Sequence, residues 1–73
     1  MKLTTVDSSM IHAVGYDAKT RTMEVVFNSG QTYDYEGVPP KEYKGLMAAE
    51  SKGSYMRANI IDVYPCSHLR RRN

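Results

Sequence analysis

Almost everything that would announce a catalytic or membrane-embedded chain is missing from this sequence. Cys66 is the only cysteine among 73 residues. No disulfide can close within the chain, and no thiolate cluster can hold zinc. A reducing, cytoplasmic setting is expected, because secreted domains of this size usually need disulfide staples. No apolar run approaches the roughly 20 residues of a membrane span. The N-terminus carries Lys2 but no apolar stretch behind it, so a signal peptide is not expected. The five glycines are scattered and form no phosphate loop. There is no internal repeat and no low-complexity segment. His12 and His68 lie far apart in sequence, and Cys66-Ser67-His68 lacks further ligands at metal spacing. No metal or cofactor is expected. A Cys/His dyad would need a pocket and an orienting third group, and the end of the chain reads as a frayed tail offering neither. Asp34 and Glu36 share a strand face and read as rim charges, not an acid/base pair. The chain is therefore expected to be non-enzymatic.

What is present describes one small domain spanning residues 1–73, with a core over about 8–64 and a basic tail over 65–73. A chain this short buries only about 60% of its unfolded surface. Its 41% hydrophobic content is that of a globular protein, not a disordered one. The net charge of +2 is unevenly laid out. Residues 1–39 hold three bases against five acids, and residues 40–61 hold four bases against two acids. Arg70, Arg71 and Arg72 then add three charges, without which the chain would stand at −1.

Residues 1–9 are polar and read as loose. Ile11 to Tyr16 reads as a first strand, with Ile11, Ala13 and Gly15 on one face and His12, Val14 and Tyr16 on the other. Asp17 is placed to hydrogen-bond backbone two residues on, which makes 17–20 a turn. Thr22 to Phe27 is the strongest strand, with Met23, Val25 and Phe27 at period two. Asn28-Ser29-Gly30 fits a three-residue hairpin loop with glycine in the left-handed region. Gln31 to Tyr35 follows as the third strand.

Proline at 39 and 40 opens a helix at little cost, since the first N–H groups of a helix have no internal partner. The helix is expected over 41–50, with Tyr43, Leu46 and Met47 as its apolar stripe. Ser51-Lys52-Gly53 breaks it, and Ser54 is placed to cap a second short helix carrying Met56 and Ile60. Val63-Tyr64 reads as a short extended piece before Pro65. The expected architecture is α+β in two layers: a three-stranded antiparallel meander covered by two C-terminal helices.

The ordered set of residues resembles the KTSC family, named for a C-terminal extension of some lysyl-tRNA synthetases. The resemblance runs through Ser8-Ser9, Ile11 and Val14-Gly15-Tyr16-Asp17. It continues in Met23 to Phe27, Gly30, Tyr33-Asp34-Tyr35 and Val38-Pro39. It closes with Tyr43, Leu46-Met47, Ala49, Ser51 to Met56 and Asn59-Ile60. It implies a stand-alone bacterial or phage domain, for which RNA binding is suggested by the company kept in synthetases. Glu50 departs from the family's small or neutral residue, and the arginine tail lies outside the pattern.

Two binding classes follow. Tyr33 and Tyr35 share a face and are candidates to stack on unpaired bases, although at least one ring is expected in the core. Lys44, Lys52 and Arg57 are candidates for phosphate contact, and Tyr55 is the aromatic interleaved among them. The leading expectation is a non-catalytic module for RNA, such as tRNA, or single-stranded nucleic acid. The rival is a protein-interaction or self-association module, including a homodimer, of phage or mobile-element origin. The surplus of tyrosine and methionine suits interfaces, and an open sheet edge can pair with a partner. No membrane partner is expected.

Overall fold

β-Branched and aromatic residues at period two force the centre of this chain into strands, and the rest is arranged around them. The computed structural model describes residues 2–69. Five strands form one antiparallel sheet: β1 (Leu3–Thr5), β2 (Ile11–Asp17), β3 (Thr22–Phe27), β4 (Thr32–Tyr35) and β5 (Cys66–Leu69). Their spatial order is the chain order. Helices α1 (Pro40–Ala48) and α2 (Lys52–Asn59) are inserted between β4 and β5. The α+β class is as expected, but the sheet has five strands where three were expected. The segment before Ile11 is not loose throughout, because Leu3–Thr5 pairs with Ala13–Gly15. Residues 66–69 are not a frayed tail, because they pair along the whole of β4. The basic tail at Arg70–Arg72 lies outside the described residues.

Local chemistry sets the turns. Asp17 Oδ1 accepts from Lys19 N at 3.0 Å. The β3–β4 loop closes through Gly30 N to Phe27 O and Phe27 N to Gln31 O, with Gly30 at φ +97°. Only glycine adopts that region without strain. Ser8 Oγ accepts from Met10 N and Ile11 N and shapes the entry into β2.

A bulge between Ile11 and Ala13 corrects the expected faces of the first strand. Ile11 opposes Phe27, yet Ala13 opposes Val26, so one extra residue sits in β2. Ile11, Val14 and Tyr16 consequently share the helix-bearing face. Ile11, Val14, Met23, Val25, Tyr35, Val38, Leu46, Met56 and Ile60 form the core, and Phe27, Tyr43 and Met47 are half-buried against it.

Helix α1 begins without a side-chain cap, whereas α2 has one. Pro39 is the N-cap of α1 and offers no side-chain bond. The start is instead held by Tyr16 OH donating to Val38 O at 2.6 Å, and by Tyr43 stacked on Tyr16 at 4.9 Å. The cap of α2 is Ser51, not Ser54: Ser51 Oγ accepts from Ser54 N at 3.3 Å. Lys52 and Gly53 are therefore inside the helix, and the break falls at 49–51.

Candidate nucleic-acid interface

The six candidate residues fall in two groups, Tyr33 and Tyr35 on β4 and Lys44, Lys52, Tyr55 and Arg57 on the two helices. Tyr33 and Tyr35 share the helix-bearing face of β4, where they oppose Val25 and Met23. Their environments differ sharply. Tyr35 is 4% exposed and belongs to the core, so it has no open ring face. Burial pushes its phenol up to about 12, with Cys66, Tyr33 and Asp62 adding to the effect. Tyr33 is half-buried against the core, and its hydroxyl reaches Gln31 Oε1 at 3.4 Å.

Tyr55 faces α1. Its hydroxyl donates to Glu42 Oε1 at 2.7 Å, and its ring lies over Gly45. The bond to Glu42 raises the Tyr55 phenol, with burial and the Glu42 charge contributing further. Arg57, two residues on, cannot share that face of α2. It is exposed and approaches Met10 Sδ at 3.9 Å, on the side of β2. Lys52 Nζ donates to Ala49 O at 3.0 Å, in the break between the two helices. Lys44 is exposed on α1.

Two features were not singled out from the sequence. The first is an aromatic row on the helix-bearing face that ends at β5. His68 stands opposite Tyr33 across β4 and β5, with ring centroids 4.8 Å apart and planes 29° apart. Phe27 meets Tyr33 edge-on at 5.8 Å. No periodic signal marks His68, because Cys66, Ser67 and His68 are all exposed.

The second lies on the opposite face. Glu24 and Asp34 are cross-strand partners there. Burial raises the Glu24 carboxyl above its usual range, and Asp34 raises it further. Burial likewise raises Asp34, with Glu36 adding to it. Asp34 Oδ1 is sealed from solvent without a hydrogen-bond partner. Asp34 is thus less of a free rim charge than its sequence position suggested.

Among the described residues, no pocket encloses a small molecule. No three His, Cys, Asp or Glu side chains converge there as metal ligands would. No described helix is long and apolar enough to cross a membrane.

These features define a class: a small α+β domain whose antiparallel meander carries a helical hairpin on one face. The chain belongs to the KTSC domain family, whose profile matches residues 7–64. It is similar to a KTSC domain protein of Yersinia pestis of known crystal structure, with 33% identity and a TM-score of 0.92. That likeness covers 94% of this chain and 97% of the other. An uncharacterised protein of Stutzerimonas stutzeri is 40% identical over 96% of this chain and 93% of its own length. A lysine–tRNA ligase of Nostoc punctiforme is 39% identical over 86% of this chain, which corresponds to 11% of the ligase. The family is one of small domains of unknown function and is not a known enzyme family.

Proposed function

We propose that this chain is a non-catalytic RNA-binding module. The observation that carries the reading is the 39% identity to a segment of a lysine–tRNA ligase, an enzyme named for a tRNA substrate. The surface chemistry is compatible. Tyr33 belongs to an aromatic row that reaches the β5 edge of the sheet through His68, and Arg57 and Lys44 are exposed cations on the helices. Phosphate contacts made by such cations weaken steeply with salt, whereas stacking does not.

The decisive measurement is fluorescence anisotropy with a labelled tRNA and a labelled single-stranded oligonucleotide at low and physiological salt. It compares the full chain with one ending at Leu69, which keeps β5 and removes only the arginine tail. Retained binding by the shorter chain at physiological salt is the expected result. Binding that disappears with the tail or with salt reduces the reading to nonspecific charge.

A second reading, a protein-interaction module, is favoured by the two outer strands. β1 and β5 each have one neighbour only among the described residues, and an unpaired edge is a ready template for another strand. Sedimentation at two concentrations tests its homodimeric form, which a strictly monomeric chain rules out.

A further inference from the structure

The row of rings on the helix-bearing face ends at an open edge. Tyr33 covers one face of the His68 ring. β5 is the outer strand of the sheet, His68 is exposed, and no described strand lies beyond it. Tyr33 is itself held by Phe27 edge-on and by Tyr35 at 6.4 Å, so the imidazole rests on a fixed support. A flat ring that is supported on one side and bare on the other extends its stack at little ordering cost.

We infer that the outer face of His68 is a stacking site for an unpaired nucleobase of a single strand. This rests on the RNA-binding reading and deepens it by naming the contact and the state of the strand. Stacking on a bare ring takes any base, because every base has a π-face. A duplex keeps those faces inside its own stack, whereas loops and ends can splay a base out. Charge favours the same surface. The opposite face of the sheet carries Glu24 and Asp34, which repel a polyanion.

The test uses the full chain, His68→Ala and His68→Phe, each checked for folding by circular dichroism. The probes are a short labelled single-stranded RNA, its duplex, and an abasic strand of equal length. The full chain is expected to prefer the single strand. His68→Ala is expected to weaken that binding about ten-fold, within the range found for removing one base-stacking aromatic. Binding of the abasic strand should not change, and His68→Phe should restore affinity, because the ring face and not the imidazole nitrogens makes the contact. If His68→Ala binds the single strand as tightly as the full chain, or loses affinity equally for the abasic strand, the stacking site is overturned while RNA binding stands. If the full chain binds none of the probes, both readings fall together. If the full chain self-associates and His68→Ala abolishes that association, the edge belongs to a second copy and the stacking site is overturned.

Discussion

A Cβ on Gly45 would collide with the phenol end of Tyr55, which Glu42 holds in place. Glycine in the middle of α1 is therefore the cost of seating a tyrosine between two short helices. Replacing it with alanine sets two effects against each other. Helix propensity favours alanine by about 1 kcal/mol, while overpacking a filled site costs about 1–3 kcal/mol. Gly45→Ala is expected to destabilise the domain in urea unfolding. In a Tyr55→Ala background the same change is expected to stabilise it by about 1 kcal/mol. A stabilising Gly45→Ala with Tyr55 present would show that the phenol swings aside freely. Nothing in the spacing of the sequence identifies Tyr55 as the ring for which Gly45 makes room. Tyr55 looked like a contact residue because it stands among cations in the linear sequence. On the helix, its position two residues from Arg57 turns it toward α1. Tyr33 and Tyr35 were correctly placed on one face by period two. Which of them is buried depends on where the helices lie, and periodicity holds no such information.

At the scale of elements, the three inner strands and both helices were legible because each carries an apolar face that must be buried. The outer strands were not. Leu3–Thr5 is exposed at every residue, and Cys66-Ser67-His68 is exposed as well, so neither has the alternation that marks a half-buried strand. Their pairing is dictated by the edges of β2 and β4, which lie far away in sequence. The bulge in β2 was equally hidden, because an extra residue shifts faces without changing composition. β5 nevertheless shields Tyr35 and supports Tyr33, opposing them with Cys66 and His68. A chain ending at Tyr64, where the family match stops, is expected to unfold at lower urea than one ending at Leu69. It is also expected to self-associate more, since the edge of β4 is then bare. Equal unfolding midpoints for the two chains would mean that β5 adds no stability to the sheet.

For the whole molecule, titration links these parts to stability. The folded state holds the Tyr35 phenol at about 12, against an ordinary 10.0. A group whose folded pKa is raised keeps its proton longer in the native state than in the unfolded one. Its stabilising contribution is complete below pH 10 and is lost as pH climbs through the window up to about 12. Tyr35→Phe should flatten that alkaline loss, read as the urea midpoint against pH, and an unchanged alkaline limb would contradict the burial of the hydroxyl. Glu24 and Asp34 are raised as well, so at neutral pH their charges oppose folding and protonation relieves them. Asp34→Asn is accordingly expected to stabilise the domain at neutral pH, with the gain fading as acid protonates the native carboxyl. The sheet also runs in strict chain order from β1 to β5, which places the first and last strands on opposite rims. In terms of assembly, the domain behaves like a tile with a connector on each side. Each connector is held along one side only, so a polypeptide fused to it is attached at a rim and not to the inner strands that carry the core. The same fold can be tethered from either side without rerouting its interior.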